Sequence, residues 1–224
     1  MEVNLRHRDF VQRANELIGK YNVPVTGSSY SGGMWNRSEH NKILDDVNLV
    51  LERLRQVGGK TFGITVGDAR RKKTEEELDA QADLLVEIGR VCDKHDIQPN
   101  IHNHTFEVVN DMHDLKGIIA RIPGINLGPD LNWLVRGGVD PVSFIRTYGK
   151  QIVYMHIRDQ DAEGKWTEAV GEGVTDFPAI AAALKEINYS GRAAIELAFE
   201  GPPVNEVKDS WRKSMEYVNK VFGW

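Results

Sequence analysis

The stretch TDFPAIAAALKEINYSGRAAIELAFE (residues 175–200) decides the fold, because it reads as one helix that leads directly into one strand. The helix is TDFPAIAAALKEIN and the strand is GRAAIELAFE. The same alternation recurs along most of the chain. Strands that alternate with helices of this length indicate parallel pairing through right-handed crossovers.

The other predicted elements follow the same alternation of strand and helix. The remaining predicted strands are VPVTGSSY (23–30), KTFGITVG (60–67), QPNIHNH (98–104), INLGPDLNW (125–133) and QIVYMHIRDQ (151–160). The remaining predicted helices are residues 8–21, 40–59, 74–95, 112–122, 140–149 and 205–222. Thr74 and Glu77 have the spacing of a capping box, which predicts a helix that starts at this point.

Repeated strand–helix units favour a TIM-type (β/α)8 barrel, an α/β fold, over an open sheet with a phosphate-binding fingerprint. Six strands are clear, and EVNL (residues 2–5) has the pattern of the end of a seventh. We therefore expect a barrel that lacks the first strand–helix unit and most of the second strand. Strands VPVTGSS and AAIELAF would then be edges, which a partner subunit could cover. Whether Met1 is the natural start is left open.

Composition narrows the class of protein. No linker divides residues 1–224, so we expect a single domain. The net charge is −5, and without a basic block nucleic acid is a poor candidate partner. The single cysteine, Cys92, excludes an internal disulfide. No apolar run is long enough to span a membrane, and the first residues lack a signal-peptide core. We expect a cytoplasmic protein with no membrane partner.

Candidate ligands for a metal lie where four successive predicted strands end. In barrels of this type the chemistry lies at the carboxyl ends of the strands. These ends carry His102 with His104, then Asp130, then His156, then Glu196. Imidazoles and carboxylates together suit a borderline divalent ion. Two histidines at positions i and i+2 of an extended strand would also point to the same face.

Each of these residues has a structural explanation as well. Either histidine could be a hydrogen-bonded barrel residue, and Asp130 could be a turn or cap residue after Gly128-Pro129. Glu196 is hardest to explain by packing, because a buried carboxylate among apolar residues is costly unless it is paired or bound to a metal. Four such residues on neighbouring strands favour a metal site.

The chain resembles the xylose-isomerase-like TIM barrels, a superfamily of sugar isomerases, epimerases and inosose dehydratase. The most specific similarity lies in YMHIRDQ, VGEGVTDF (170–177) and INYSG (187–191), together with the strand glutamate of IELAF. LGPDLNWLVRGGVDP also resembles the family's Asp-bearing strand and following helix start. The resemblance covers most of the chain.

This resemblance implies a divalent ion, usually Mn, with Co, Mg, Zn or Fe as alternatives. Asp130, His156 and Glu196 fall on three of the family's ligand positions. His102 falls on the first, where the epimerases have a glutamate, and His104 and Glu107 are alternatives there. The implied partner is a small carbohydrate substrate, and a homo-oligomer is possible.

The departures from the family pattern affect the expected mechanism. With a histidine at the first ligand position, Glu196 is the one obvious carboxylate base. His102 or His104 could then be the second acid or base. Trp133 stands where many relatives have a histidine that touches substrate, and its indole offers a stacking face. Both departures raise the chance of a lyase or dehydratase.

Other residues are candidates for substrate contact. Arg158 follows His156 by two residues and could hold a hydroxyl or stabilise an enediolate, although an ion pair with Asp159 or Glu172 explains it equally well. Glu107 and the loop residues Trp35, Arg37 and Arg70 could also contact substrate. Arg71, Lys72 and Lys73 read more simply as solvated surface residues.

Three functions are therefore compared. The first is a metal-dependent sugar isomerase or epimerase that works through an enediolate, with a sugar lyase or dehydratase as the alternative. The second is an endonuclease-IV-like phosphodiesterase, which the net charge and the few further strand-end ligands disfavour. The third is a non-catalytic barrel fragment, which the missing strands would explain.

Overall fold

The computed structural model describes all 224 residues, which form two compact units. The first comprises Met1–His102 and Val109–Asn126, and the second comprises Asn103–Val108 and Leu127–Trp224. No helix in the chain has both the length and the apolar composition to cross a bilayer. The single-domain organisation stays a prediction.

The first unit is built on three parallel strands in the order β1-β2-β3. They are β1 (Gly27–Ser31), β2 (Thr61–Thr65) and β3 (Gln98–Ile101), and they alternate with α1 (Asp9–Tyr21), α2 (His40–Gln56) and α3 (Glu75–Lys94). Every residue of β2, the central strand, is buried. The predicted capping box is confirmed, because Thr74 and Glu77 each bond the other's backbone N–H at the start of α3.

The edge of β1 is paired only at its first residue. Glu2 forms an isolated parallel bridge with Gly27, and Val3 N–H donates to the Gly27 carbonyl at 3.1 Å. EVNL is therefore a single bridge and not a regular strand. The absence of an amino-terminal strand–helix unit stays a prediction.

A kinked helix, α4 (Thr105–Arg121), follows β3. Its first turn ends at Val109, which is extended, and Asn110, Asp111 and Met112 are then left-handed with φ between 54° and 58°. Left-handed conformation costs a non-glycine residue roughly 1–2 kcal/mol. The predicted helix over residues 112–122 corresponds to the part of α4 that follows this kink.

The second unit contains the parallel pair β4 (Tyr154–Ile157) and β5 (Arg192–Ile195). Its helices are α5 (Leu131–Arg136), α6 (Pro141–Tyr148), α7 (Phe177–Glu186) and α8 (Val207–Phe222). Two short 3-10 helices, Arg37–Glu39 and Gly149–Gln151, complete the regular elements of the chain.

Several predicted strands run past their observed carboxyl ends, and β4 and β5 end at Ile157 and Ile195. Two further cases change the interpretation of the candidate residues. Residues 125–133 form only two isolated bridges, Leu127 with Ile152 and Asp130 with His156, and α5 begins at Leu131. The side chain of Asp130 accepts the backbone N–H groups of the first turn, so the chain enters a helix there. The strand predicted over residues 98–104 ends at Ile101. His102 and His104 therefore lie beyond it, and the same-face argument for them does not apply.

Candidate active site

Backbone pairing in the second unit brings three of the candidate residues to one place. Asp130 bridges His156, and His156 N–H donates to the Pro129 carbonyl at 2.9 Å. Glu196 comes directly after β5, and its N–H donates to the Ile157 carbonyl at 2.9 Å. These backbone contacts place a buried carboxylate, a buried imidazole and an exposed carboxylate at the same strand ends.

The guanidinium of Arg158 lies between the two carboxylates. Its Nε is 2.8 Å from Asp130 Oδ2, and its Nη2 is 2.5 Å from Glu196 Oε2. His156 Nε2 lies 4.0 Å from the same Glu196 oxygen. Asp130 is fully buried, whereas 46% of the Glu196 side chain is exposed. The alternative partners predicted for Arg158, Asp159 and Glu172, are therefore wrong.

The contact between Arg158 and Asp130 is close but poorly aligned. Neither Arg158 Nε nor Asp130 Oδ2 has a hydrogen-bond partner, although the two atoms are in ion-pair contact. The other oxygen of Asp130, Oδ1, accepts N–H groups from Asn132 at 3.0 Å and Trp133 at 3.1 Å. Burial raises the pKa of the Asp130 carboxyl, and the charge of Arg158 opposes that rise.

His104 belongs to the same cluster. Burial lowers the pKa of its imidazole, and the nearby charge of Arg158 lowers it further, while Glu196 acts in the opposite direction. Its ring lies 5.4 Å from the Trp133 ring, centroid to centroid. Its backbone N–H donates to Oε2 of Glu107 at 2.7 Å. Glu107, fully buried, thus holds the backbone of His104.

An aromatic and cationic wall, formed by Trp133, Trp166 and Arg136, adjoins this cluster. The indole rings of Trp133 and Trp166 meet edge to face with centroids 4.9 Å apart. The guanidinium carbon of Arg136 lies 3.3 Å from the Trp166 centroid, and that of Arg158 lies 4.9 Å from it. Trp133 Nε1 is buried without a hydrogen-bond partner. Sequence reasoning missed Trp166 and Arg136, because neither lies at a predicted strand end.

The glycine motif of residues 171–176 wraps around the carboxylate of Asp159. That carboxylate accepts N–H groups from Gly171 and Gly173 at 2.9 Å and from Thr175 at 3.3 Å. A Cβ at residue 173 would overlap the Gln160 carbonyl oxygen and Oδ1 of Asp159. The motif therefore fixes the loop that follows β4, and Asp159 has a structural role.

The remaining predicted contact residues lie in the first unit. His102 is buried, and its N–H donates to the Ile64 carbonyl at 2.9 Å. Trp35 has a buried Nε1 without a hydrogen-bond partner. Arg37 forms an exposed ion pair with Asp83 at 2.6 Å. Arg70 is left-handed, with φ of 56°. Roles for these four residues stay predictions.

The prediction that Lys73 is a solvated surface residue is wrong. Its side chain is fully buried, with Nζ 2.6 Å from Asp114 Oδ2 and 2.8 Å from Gln81 Oε1. A lysine is buried in this way only when its charge is paired. Its charged partner, Asp114, lies far along the chain and was not visible in the local pattern.

The donor chemistry at Asp130, His156 and Glu196 fits a divalent cation, but their side chains are not arranged around one. No group of three or more His, Cys, Asp or Glu side chains is placed to hold a metal ion. The buried Asp130 Oδ2, which lacks a hydrogen bond, is the atom with acceptor capacity for a cation. In this conformation the Arg158 guanidinium contacts that atom.

Comparisons with known proteins agree with the fold. A family model described as a xylose isomerase-like TIM barrel matches residues 4–221. An inosose dehydratase of Clostridium beijerinckii (strain ATCC 51743 / NCIMB 8052) is 24% identical over 170 residues, which are 67% of this chain and 56% of that protein. The chain thus spans little more than half the length of this curated relative.

Solved structures share the architecture at low sequence identity. A sugar phosphate isomerase/epimerase from Parabacteroides distasonis ATCC 8503 is 16% identical with a TM-score of 0.80, over 97% of this chain and 82% of that one. The IOLI protein with a binding zinc atom is 18% identical with a TM-score of 0.77, over 97% and 82% of the two chains. These matches identify the fold, and the family match covers nearly the whole sequence. The chain belongs to the xylose isomerase-like TIM barrel family.

Proposed function

We propose that this protein is a divalent-metal-dependent isomerase or epimerase of a sugar or keto-sugar, which works by proton transfer at the carbon next to a carbonyl. The observation that carries the proposal is the position of Glu196. Its carboxylate is accessible to a small molecule, yet it is held 2.5 Å from Arg158 and 4.0 Å from His156. An accessible carboxylate in a fixed position suits a general base.

In the proposed reaction, Glu196 removes the proton from the carbon that carries a hydroxyl next to the carbonyl. The electron pair of that C–H bond moves into a carbon–carbon double bond, and the carbonyl oxygen gains the negative charge of an enediolate. Arg158 is the nearest cation for that charge. His104, with Glu196 and Arg158 acting on its imidazole, is the second candidate acid or base. Return of the proton to the opposite face of the same carbon gives the epimer. Its return to the neighbouring carbon gives the isomer.

Asp130, His156 and Glu196 would hold the metal. For the first ligand position, His102, with His104 and Glu107 as alternatives, stays a prediction from the sequence. When bound, a divalent cation would polarise the carbonyl and acidify the neighbouring C–H bond. The structural relatives are consistent with this proposal, since one of them, the IOLI protein, binds a zinc atom. Manganese, with cobalt, magnesium, zinc or iron as alternatives, is the proposed ion.

Substrate binding is proposed at Trp133 and Trp166. Indole faces beside polar groups suit a sugar, which presents both C–H faces and hydroxyls. The unpartnered Nε1 of Trp133 offers one donor for a hydroxyl. Arg158 and Glu107 are the other proposed contact residues of this unit, and Glu107 would act through the backbone of His104. Substrate contact by Trp35 stays a prediction from the sequence.

A dehydratase or other lyase is the alternative function. It is favoured by the similarity to an inosose dehydratase and by the presence of a single accessible carboxylate in the cluster. In that reaction the same proton abstraction is followed by loss of a β-hydroxyl as water. The product would then be an unsaturated or diketo compound instead of an epimer.

The test is to compare metal content and activity in the wild type, His156→Ala and Glu196→Gln. We expect near-stoichiometric Mn, Co, Zn or Fe after dialysis, lost in His156→Ala. We expect Glu196→Gln to lower turnover of keto-sugars or inososes by about 10²–10⁴-fold. Glu186→Gln, on the exposed face of α7, is the matched control and should be fully active. Absence of metal binding, together with no activity on either substrate class, would refute the proposal.

A further inference from the structure

Two arginines of the chain divide their nitrogens between two carboxylates, Arg121 and Arg158. Arg121 does so at the surface and forms hydrogen bonds to both Asp79 and Glu75. The pairing of Arg158 differs from this one and from the two-point pairs made by Arg146 and Arg71. Arg146 donates Nε and Nη2 to the two oxygens of Glu186, at 2.8 and 2.9 Å. Arg71 donates to both oxygens of Glu77 at 2.7 Å. Such two-point forks onto one carboxylate are the favoured geometry. Arg158 instead divides its nitrogens between Asp130 and Glu196.

Arg158 and Asp130 make this contact in the interior, where a polar atom without a well-aligned hydrogen bond lowers the stability of the fold. The Arg158 side chain is only 7% exposed, and Asp130 is 0% exposed. Arg158 Nε and Asp130 Oδ2 nevertheless lack a hydrogen bond. A buried polar atom without a partner in a native protein calls for an explanation, and an ion that binds there is one such explanation.

The same two carboxylates are the donors that a divalent cation would use. A cation bound to Asp130 Oδ2 and Glu196 Oε2 would take the oxygens that Arg158 now contacts. It would also repel the guanidinium, because both are positive and the Arg158 side chain is only 7% exposed. The two cations therefore cannot hold these oxygens together.

We propose that Arg158 is an internal competitor for the metal: its guanidinium joins Asp130 to Glu196 in the metal-free protein and must leave them when a divalent cation binds. The proposal rests on the metal site of the proposed function. It explains why the donor residues fit a cation in chemistry while a guanidinium stands among them. Metal affinity is then set in part by Arg158, which is not a ligand.

The displaced guanidinium would move toward two indole rings that Arg136 also contacts, with the Arg136 guanidinium nearer to Trp166 than to Trp133. The guanidinium carbon of Arg158 already lies 4.9 Å from the Trp166 centroid and 5.5 Å from the Trp133 centroid. Aromatic faces at such distances attract guanidinium groups. Movement toward the indoles keeps the positive charge beside the substrate position while it frees both carboxylates.

The experiment is a calorimetric titration of the full-length, metal-stripped protein with MnCl2. Arg158→Gln removes the competitor, and we expect it to bind Mn²⁺ about tenfold or more tightly than the wild type, as removal of a nearby like charge implies. Arg158→Lys keeps the charge but loses the two-carboxylate contact, and its affinity should lie between those two. Arg146→Gln removes one exposed arginine of the same unit, and it should bind as the wild type does.

Thermal unfolding provides a second readout that does not depend on activity. Without metal, Arg158→Gln should melt below the wild type, because the buried Asp130 loses its ion pair with Arg158. Saturating MnCl2 should then raise its melting temperature by more than it raises that of the wild type. If Arg158→Gln does not fold in either condition, the Arg158→Lys titration decides the question.

The outcomes separate the two proposals. Wild-type or weaker affinity in Arg158→Gln overturns the role of Arg158. If Mn²⁺ binding is lost in His156→Ala but unchanged in Arg158→Gln, the metal site stands and the competition fails. If neither the wild type nor Arg158→Gln binds Mn²⁺, both proposals fail.

Discussion

The side-chain amide of Asn103 forms two hydrogen bonds with the backbone of Asp130. Its Oδ1 accepts the Asp130 N–H at 3.2 Å, and its Nδ2 donates to the Asp130 carbonyl at 3.3 Å. Asn103 is buried, and the amide replaces the peptide group that a neighbouring strand would supply. The position of the Asp130 carboxylate therefore depends on a side chain between two histidines.

We expect Asn103→Ala to lower the free energy of unfolding by about 2–3 kcal/mol, because two buried backbone groups lose their partner. We also expect weaker Mn²⁺ binding, since Asp130 is then less firmly placed. Urea unfolding and metal titration measure the two effects. Asn48→Ala is the control, because the side chain of Asn48 bonds only to the side chains of Glu52 and His95 on an exposed surface. Equal stability of the two variants would contradict the role of Asn103.

Gly173→Ala should be strongly destabilising. The added Cβ would overlap the Gln160 carbonyl oxygen and the Asp159 carboxylate, and the Gly173 N–H bond to Asp159 would have to shift. Overpacking of this kind costs typically about 1–3 kcal/mol. Chemical denaturation measures the loss. Gly201→Ala has open space around its Cβ and should change stability by less than about 0.5 kcal/mol.

Much of the fold could be predicted from short-range pattern. Six helices were predicted from the spacing of residues within their own segments, namely α1, α2, α3, α6, α7 and α8. The capping box of α3 depends on residues three positions apart. The start of α5 was missed, because the cap formed by Asp130 competes there with a strand pattern. When a helix cap and a strand pattern of similar strength occur in the same residues, the local sequence cannot decide between helix and strand.

The candidate site was likewise predicted where local patterns sufficed and missed where they did not. Strand ends identified Asp130, His156 and Glu196, since parallel strands bring their carboxyl ends together. The partners of Arg158 were mistaken, because nearby residues of the sequence were considered and the true partners come from other strand ends. Trp166 and Arg136 lie on a loop and a short helix, where no periodicity marks a side chain for function.

Lys73 provides a test of a long-range contact that the sequence did not reveal. Lys73→Met leaves the buried Asp114 without its cation, which should cost about 3–5 kcal/mol. The double variant Lys73→Met/Asp114→Leu removes both charges and should recover most of that loss. Urea unfolding of the single and double variants gives the coupling energy. Lys60→Met, which breaks an exposed pair with Asp96, should cost at most about 1 kcal/mol.

The thiol of Cys92 should be unreactive in the folded protein. It is fully buried in α3, and burial raises the pKa of its thiol to about 12, so almost no thiolate exists near neutral pH. We expect no reaction with a disulfide reagent at pH 8 until urea unfolds the chain, when one thiol per chain reacts. Cys92→Ala should remove that signal. Rapid native labelling would mean that the packing around α3 opens readily.

Glu77 should make stability depend on acid pH. The guanidinium of Arg71 and the N–H of Thr74 lower the pKa of its carboxyl to about 2, below its usual 4.5. A depressed folded-state pKa adds stability that is complete above the unfolded pKa and is lost as the pH falls toward the folded one.

Glu77→Gln keeps a capping residue of the same size but no longer titrates. It should therefore be less stable than the wild type by about 1 kcal/mol near neutral pH. The difference should shrink as the pH falls from about 4.5 toward about 2, because the wild-type carboxyl then takes up its proton. Urea unfolding of both proteins over this range measures the difference. Because all other titrating groups are common to both proteins, a constant difference would mean that the ion pair with Arg71 does not stabilise the fold.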